Sequence, residues 1–141
     1  MSELTLDLAW SFFQRGDRAS EAPDLVVKEH TPEKPTRIVC AQCGRQISTR
    51  DQLFAYDGAQ LYGVFINPFG VVFELCTLMS ATNLIALGTA TEEGTWFEGY
   101  AWQVCVCDRC RTHLGWLYRG HTSVSAPTRF YGLIRSKLRE A

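Results

Sequence analysis

The sequence has no excess of charge of either sign. Its 141 residues include 14 lysines and arginines against 15 aspartates and glutamates, a formal net charge of −1. Proteins that bind nucleic acids or anionic membranes usually carry a strongly basic surface. The composition therefore predicts no nucleic-acid partner and no membrane partner. The length suits one domain with a hydrophobic core of its own.

The sequence also lacks a long apolar run. Its most hydrophobic stretches are interrupted by glycine, asparagine, proline and glutamate, so no segment predicts a membrane-spanning helix. The first residues, 1–4, carry no basic segment ahead of an apolar one, which argues against a secretory signal. We therefore expect a cytoplasmic protein whose six cysteines are reduced, and in which paired cysteines favour a metal over disulfides.

Two Cys-x-x-Cys motifs are the most informative feature that is present. Cys40 and Cys43 form the first motif, and Cys107 and Cys110 form the second one, far along the chain. Each turn can supply two thiolates, so the four cysteines predict one closed, tetrahedral, structural Zn²⁺ site. In small domains such a site contributes on the order of 10 kcal/mol to folding. Two redox-active motifs are the weaker alternative, because no βαβ pattern surrounds either pair.

Three other residues near these motifs allow more than one role. Cys105 could compete as a ligand, although the pairing of Cys107 with Cys110 matches the first motif. Cys76 lies in an apolar segment and is predicted to be a small buried hydrophobe. His113 would be redundant as a fifth ligand, so we expect it to have a hydrogen-bonded structural role.

From Arg37 onward the pattern is mostly that of β-strands. Segments rich in aromatic and β-branched residues predict strands at 60–66, 71–78, 100–106, 114–118 and 130–134, followed by a charged tail over 135–141. A tight turn is predicted at 67–70, because Pro68 fixes φ and Gly70 accepts positive φ. The second cysteine motif should cap a hairpin.

Residues 1–35 differ from the rest of the chain. Leu4, Leu8 and Phe12 have helical spacing, so a short amphipathic helix is predicted near residues 4–15, ending at Gly16. The proline-containing stretch 29–35 has the composition of a linker. We predict an N-terminal arm over 1–35 and a zinc-binding ligand domain over 36–141. A helix docked on the domain is the favoured interpretation of the arm, and a partner-binding segment is the alternative.

Three tryptophans lie close together in the sequence. Strand alternation places Trp102 on one face of the strand that enters the second cysteine motif. Trp116 and Tyr118 share a face of the strand that leaves it, so Trp102 and Trp116 can be cross-strand or diagonal neighbours. Trp96 precedes Gly99, which allows a bend that brings a third indole over the other two. Two interpretations stay open: a core cluster, or the walls of a ligand cage.

A combination of motifs resembles the CULT domain, the thalidomide-binding domain at the C-terminus of cereblon that also occurs in single-domain bacterial proteins. The resemblance covers about residues 37–138, with the first cysteine motif in the expected order. Its motifs are Asn67-Pro68-x-Gly70, Trp96-Phe97-Glu98-Gly99-Tyr100-Ala101-Trp102, the second cysteine motif, His113-Leu114-Gly115-Trp116 and Phe130-Tyr131-Gly132-Leu133.

The resemblance implies a mainly β fold, the β-tent, in which a Cys₄ zinc site pins two antiparallel sheets. It also implies an aromatic cage that takes cyclic imides such as glutarimide and thalidomide-type drugs, or related rings such as uridine. The cage walls would be Trp96, Trp102 and Trp116. Tyr118 would lie at the base, where cereblon carries phenylalanine.

The resemblance further implies how an imide would be held by the backbone. The imide N–H would donate to the carbonyl of Gly94, and a ring carbonyl would accept from the N–H of Trp96. Asn67 would lie in the turn over the cage. Cereblon has a histidine at the position of Gly94 and a proline at that of Glu98, so an imidazole contact is lost and the rim is more acidic.

We therefore expect a binding module rather than an enzyme, with a cyclic imide or a similar ring as its partner. A modified protein terminus, formed by cyclised glutamine or asparagine, would fit the same chemistry. One alternative is a methylated ammonium ligand, attracted by Glu92, Glu93 and Glu98. The other is an oxidoreductase of the methionine-R-sulfoxide reductase type, which shares the β-tent but needs a further reactive cysteine. The spare Cys76 and Cys105 both lie in apolar strand patterns.

Overall fold

The computed structural model describes residues 34–56, 62–121 and 127–141. The helix predicted near residues 4–15, like the rest of 1–33, lies outside these ranges. The described strands are β1 (Arg37–Cys40), β2 (Gln46–Thr49), β3 (Tyr62–Ile66), β4 (Val72–Leu78), β5 (Leu84–Thr91), β6 (Tyr100–Cys107), β7 (His113–Gly120), β8 (Arg129–Ile134) and β9 (Leu138–Glu140). Short 3₁₀ turns lie at Arg50–Gln52 and Arg135–Lys137.

The strands form two antiparallel sheets, which confirms the predicted fold class. A three-stranded sheet has the order β2-β1-β9, and a six-stranded sheet has the order β3-β4-β8-β7-β6-β5. The first cysteine motif follows β1 in the small sheet, and the second one connects β6 to β7 in the large sheet. No helix in the described ranges is long and apolar enough to cross a membrane.

The predicted strands at 60–66, 71–78, 100–106, 114–118 and 130–134 correspond to β3, β4, β6, β7 and β8. In the turn between β3 and β4, Asn67 accepts from the N–H groups of Phe69 and Val71 through its side-chain oxygen, both at 2.9 Å. Local turn chemistry therefore sets this connection. Strands β2, β5 and β9 were not predicted from the sequence.

The prediction of a charged tail over 135–141 was wrong, because this segment contains β9 and pairs with β1. Leu138 is fully buried, and the guanidinium of Arg135 lies 3.0 Å from the carboxylate of Glu74 on β4. Glu140 lies 3.5 Å from Arg50. Charged side chains of this segment thus form ion pairs with other strands and turns, and the buried Leu138 packs β9 against the core.

The buried side chains form two clusters. An aliphatic cluster around Ile38, Leu114 and Leu138 includes the metal-site residues Cys40 and Cys107. The second cluster is aromatic. It centres on Phe97, Tyr100, Tyr118 and Phe130, and the half-buried tryptophans at 96, 102 and 116 pack against it. The fold therefore has an aliphatic core beneath the cysteine motifs and an aromatic core beneath the tryptophans.

Candidate functional site

The two cysteine motifs have the same backbone structure. In each one, the N–H of the first cysteine donates to the carbonyl five residues later, and its carbonyl accepts from the N–H four residues later. The residue after the second cysteine has a left-handed backbone, with φ of 81° at Gly44 and 64° at Arg111. Each turn therefore directs its two sulfurs to one side.

The structure brings together the four cysteines that the sequence predicts as ligands. Their sulfur atoms all lie within 4.8 Å of one another. The Sγ atoms of Cys40 and Cys110 are 3.6 Å apart, and those of Cys43 and Cys107 are 3.5 Å apart. Tetrahedral zinc with bonds of about 2.3 Å places its sulfurs roughly 3.8 Å apart. The arrangement therefore has the dimensions of a closed Cys₄ zinc site.

An ion pair links the two motifs beside the sulfurs. The Nε of Arg45 donates to Asp108 Oδ1 at 2.9 Å, and its Nη2 donates to Oδ2 at 3.2 Å. This contact with Arg45 holds the pKa of Asp108 below its usual range. Nη2 also donates to the side-chain oxygen of Asn83, whose amide donates to the carbonyl of Gln46. These bonds fix the first turn against the second one.

The sulfurs differ in how readily they ionise. The hydroxyl of Thr112 lies 3.1 Å from the Cys110 sulfur, and this hydrogen bond is the main reason that the pKa of Cys110 falls to about 6. Burial raises the pKa of Cys40 to about 12. Zinc binds thiolates, so its binding must release the proton of Cys40, and metal affinity must fall in acid.

The left-handed backbone of Arg111 leads to a first prediction. A residue with a side chain in this conformation loses about 1–2 kcal/mol of stability to steric strain. Glycine relieves the strain, but it loses more conformational entropy on folding, so the net stabilisation is smaller. We expect Arg111→Gly to stabilise the zinc-loaded protein by about 0.5–1 kcal/mol in urea unfolding. Gly44→Ala, at the equivalent position of the first motif, should destabilise it. Equal effects of the same sign would contradict this account.

The remaining cysteines and His113 lie outside the group of four. Cys76 and Cys105 are buried in strands, and burial raises the pKa of Cys76 to about 12 and that of Cys105 to about 11. The Nε2 of His113 lies 3.1 Å from the carbonyl of Gly115, and burial lowers the pKa of the imidazole. The ring is therefore neutral near pH 7, with Nε2–H as the donor.

A cavity of about 350 Å³ opens beside the tryptophans. All six residues predicted for a ligand cage line it, namely Asn67, Gly94, Trp96, Trp102, Trp116 and Tyr118. The sequence prediction missed Pro68 and Phe69, and it named Glu93, which also lines the cavity, only for the alternative of a methylated ammonium ligand. Pro68 and Phe69 lie in the predicted turn next to Asn67, so their position beside a predicted residue was the signal that could have identified them.

Strand register places the indoles around the cavity. Trp102 lies opposite Tyr118 in the β6–β7 ladder, and Val104 lies opposite Trp116. Trp102 and Trp116 are therefore diagonal neighbours. The ring of Trp96 meets that of Trp116 edge-on, with centroids 5.2 Å apart. The bend before β6 thus brings the third indole against the hairpin.

The indole N–H groups of two tryptophans hold the loops that complete the cavity. Trp102 Nε1 donates to the carbonyl of Glu93 at 2.9 Å, and Trp96 Nε1 donates to the carbonyl of Ile66 at 3.2 Å. The first bond fixes the loop before Gly94, and the second one fixes the end of β3. Trp102 and Trp96 thus act both as apolar walls and as anchors, a second role that sequence reasoning did not identify.

Two backbone groups of residues that line the cavity have no partner in the part of the chain that the structure describes. Among the described residues, nothing donates to the carbonyl of Gly94 and nothing accepts from the N–H of Trp96. The loop is shaped by the bond from Thr95 N–H to the carbonyl of Glu92, and Gly94 has a φ of 69°. The side-chain oxygen of Asn67 is less available to a ligand than these two backbone groups, because it already accepts hydrogen bonds from two backbone N–H groups of its own turn.

Comparison with known proteins agrees with this architecture. A family model described as "Yippee zinc-binding/DNA-binding /Mis18, centromere assembly" matches residues 36–140. Protein cereblon of Gallus gallus is 34% identical over 106 residues, which are 74% of this chain and 24% of that protein. Protein cereblon of Danio rerio is 34% identical over 110 residues, or 75% of this chain and 25% of that protein. The chain thus spans about a quarter of the length of these relatives.

A solved structure, "Crystal Structure of Mis18 'Yippee-like' Domain", has a TM-score of 0.51 and 15% sequence identity to this protein. The match covers 77% of this chain and 96% of the other one, so it supports the fold. The family is zinc-binding by description, and the four cysteines are placed to hold one ion, which confirms the predicted zinc cofactor. The chain belongs to the Yippee-Mis18 family, as a zinc-binding domain similar to part of cereblon.

Proposed function

We propose that this domain is a non-catalytic binding module of the CULT type, with a cavity that takes cyclic imides. Glutarimide and thalidomide-type drugs are the simplest ligands of this class, and uridine-like rings or cyclic-imide protein termini share its chemistry. One observation carries the proposal. Within the described residues, no group bonds the backbone carbonyl of Gly94 or the backbone N–H of Trp96, and both residues line a cavity with indole walls.

The imide group is complementary to these two backbone groups. Its N–H is a donor flanked by two carbonyl acceptors, so one edge of the ring can donate to Gly94 and accept from Trp96. The rest of a glutarimide ring is apolar and suits the indoles. Gly94 is exposed and Trp96 is half-buried in the free protein. An imide would replace the water at these two groups with hydrogen bonds of its own, whereas a ring without an imide would displace that water without replacing its bonds.

The size of the ligand limits its affinity. Glutarimide has about eight heavy atoms, and at roughly 1 kcal/mol each the free energy of binding is about −8 kcal/mol, or a Kd near 1 μM. A larger ligand that contains the same ring can bind more tightly only through additional contacts outside the ring. Phe69, which is 89% exposed and lines the cavity, lies where an aryl substituent could pack.

The lining of the cavity favours binding over catalysis. It contains no cysteine, serine or histidine among the described residues. Cys76 and Cys105 are buried, and their thiols ionise only at high pH, which disfavours a reductase of the methionine-R-sulfoxide type. A reducing compartment such as the cytoplasm would keep the four zinc ligands reduced. The net charge of −1 gives no support for a nucleic-acid partner.

A methylated ammonium ion is the second candidate ligand, because Glu93 lines the cavity and the indoles could surround a cation. Glu92 is less available, since its carboxylate lies 2.6 Å from the imidazole of His121. The cation hypothesis leaves the free Gly94 carbonyl and Trp96 N–H without partners in the complex. We therefore rank the imide first.

The second prediction concerns binding of glutarimide, measured by isothermal titration calorimetry on the zinc-loaded protein. We expect micromolar binding, with at least a roughly tenfold loss for N-methylglutarimide, which cannot donate to Gly94. Trp102→Phe should weaken binding more than Trp116→Phe. Both variants keep an aromatic wall, but the first loses the N–H that anchors the loop at Glu93.

Three outcomes of this titration would argue against the proposal. Equal binding of glutarimide and its N-methyl derivative would exclude the imide contact. Binding of tetramethylammonium, with no response to glutarimide, would favour the cation hypothesis. The absence of heat from both ligands, in protein with one zinc per chain and a cooperative unfolding transition, would return the tryptophans to a purely structural role.

A further inference from the structure

Three apolar side chains on the hairpin of β3 and β4 face solvent. Val64, Ile66 and Val72 are 63%, 60% and 60% exposed. Ile66 lies opposite Val72 in the ladder, and Val64 is two residues from Ile66, so all three share one face of the hairpin. Isolated exposed hydrophobic residues are common on protein surfaces, whereas a contiguous group of them usually marks a contact surface. We call this group the hairpin patch.

The opposite face of the hairpin is already packed. The ring of Phe65 stacks on that of Trp96, with centroids 5.2 Å apart, and the ring of Phe73 lies 5.9 Å from the same indole. The pairing of β4 with β8 ends at Leu75, opposite Ile134, so the hairpin extends beyond β8. Within the described residues the hairpin is therefore supported mainly on its aromatic face, while the hairpin patch is exposed.

The hairpin patch continues a face of the large sheet that is covered elsewhere. Side chains alternate along β4, so Val72 shares its face with Cys76 and Leu78. Those two residues are fully buried in the aliphatic cluster, to which the small sheet contributes. Between them and Val72, Glu74 forms an ion pair with Arg135, in the turn that precedes β9. In the described ranges the cover of this face ends at that ion pair, and a further apolar segment lying beyond it would complete the layer.

We infer that the segment 4–15 of the same chain is the occupant of the hairpin patch. Its apolar residues have the spacing of one helical stripe, formed by Leu4, Leu8 and Phe12. Such a stripe is about 12 Å long, and the patch extends about 7 Å along β3, so one short helix suffices to cover it. The contact removes apolar surface of both elements from water, which is the force that holds amphipathic helices on a sheet. It does not depend on the ligand of the cavity.

The intervening chain is long enough for this contact. Thr36 lies near the start of the described chain, and its carbonyl accepts from the N–H of Arg50. The carbonyl of Gln52 accepts in turn from the N–H of Met79, the residue after β4. The hairpin patch lies about 20 Å farther, along the length of β4. The segment 16–33 can span about 60 Å when extended. A tether of this length gives the segment 4–15 a roughly millimolar effective concentration, which favours it over a second copy of the chain.

Nuclear Overhauser spectra of the isotope-labelled, zinc-loaded full chain test the contact directly. We expect cross-peaks between the methyl groups of the hairpin patch and the aromatic protons of Trp10, Phe12 or Phe13. A spectrum in which the hairpin patch shows no cross-peak to residues 4–15 would overturn the inference. Cross-peaks that appear only between labelled and unlabelled chains in a mixed sample would also overturn it, because they would make a second copy the occupant.

Proteolysis tests the same contact through a pair of variants. Ile66→Asp places a charge in the hairpin patch and should release the segment 4–15, so trypsin should cleave after Arg15 at least roughly tenfold faster than in the wild type. Leu87→Asp is the matched control, because Leu87 is 47% exposed on β5, at the other edge of the large sheet. This variant should be cleaved at the wild-type rate. Equal cleavage rates in the three proteins, or equal acceleration in both variants, would contradict the inference.

Discussion

Cys43→Ser is expected to abolish stoichiometric zinc binding and the cooperative unfolding of the domain. A structural Cys₄ zinc contributes on the order of 10 kcal/mol to folding, and small domains have a net stability of about 5–15 kcal/mol. Loss of one thiolate weakens the site and leaves three other cysteines without their shared ion. Zinc content by atomic emission and thermal unfolding by circular dichroism measure the two effects.

The position of the site in the fold explains the size of this effect. Cys40 ends β1 of the small sheet, and Cys107 ends β6 of the large one, so the ion joins the two sheets. The Arg45–Asp108 pair crosses the same junction, but the pair is partly exposed and can contribute little. Removal of zinc with a chelator should therefore release the small sheet and expose the aliphatic cluster.

Cys105→Ala provides the control for the loss of a thiol. Cys105 is buried in β6, two residues from a ligand, but lies outside the group of four sulfurs. This variant should keep one zinc per chain and lose only about 1–2 kcal/mol of packing. The result that would overturn the ligand assignment is the reverse pattern, with zinc retained in Cys43→Ser and lost in Cys105→Ala.

The parts of the fold that could be predicted from the sequence have local causes. The two cysteine motifs fix their own turns, and Asn67 fixes the turn between β3 and β4. Strand β9 has no such signal. Leu138 is the one large apolar residue in the segment 135–141, and β9 forms because β1 offers a free edge where this leucine can be buried.

Strand β5 escaped prediction for a related reason. Its middle residues are exposed, Gly88 has a φ of 77°, and its pairing with β6 is irregular between Leu87 and Thr91. Pairing with the β6–β7 hairpin, rather than intrinsic preference, makes this segment a strand. Strand alternation predicted Trp102, Trp116 and Tyr118 on the β6–β7 hairpin, whereas Asn67 and Gly94, which lie in connections between strands, were expected only from the family resemblance. The bonds of Trp96 to Ile66 and of Trp102 to Glu93 join separate parts of the chain, so no local pattern could predict them.

Gly115→Ala is expected to destabilise the zinc-loaded protein by about 3 kcal/mol or more. Gly115 pairs with Cys105 on β6 and with Leu133 on β8, in the middle of the large sheet. A Cβ there would lie 2.7 Å from the Cα of Leu133 and closer still to the carbonyl oxygen of Gly132. These are backbone atoms, so the clash can be relieved only by moving a strand. Urea unfolding followed by circular dichroism measures the loss.

Gly88→Ala separates this clash from the strain of backbone conformation. Gly88 also has a positive φ, but nothing lies within 4 Å of the position of its Cβ, so alanine there should cost only about 1 kcal/mol. Equal losses of stability in the two variants would mean that backbone conformation, rather than the contact with β8, requires glycine at position 115.

Trp116 is the next residue along β7, so a strand displaced by Gly115→Ala also displaces a wall of the cavity. On the proposed function, Gly115→Ala should therefore lower the affinity for glutarimide even under conditions where most of the protein remains folded, and Gly88→Ala should leave that affinity unchanged.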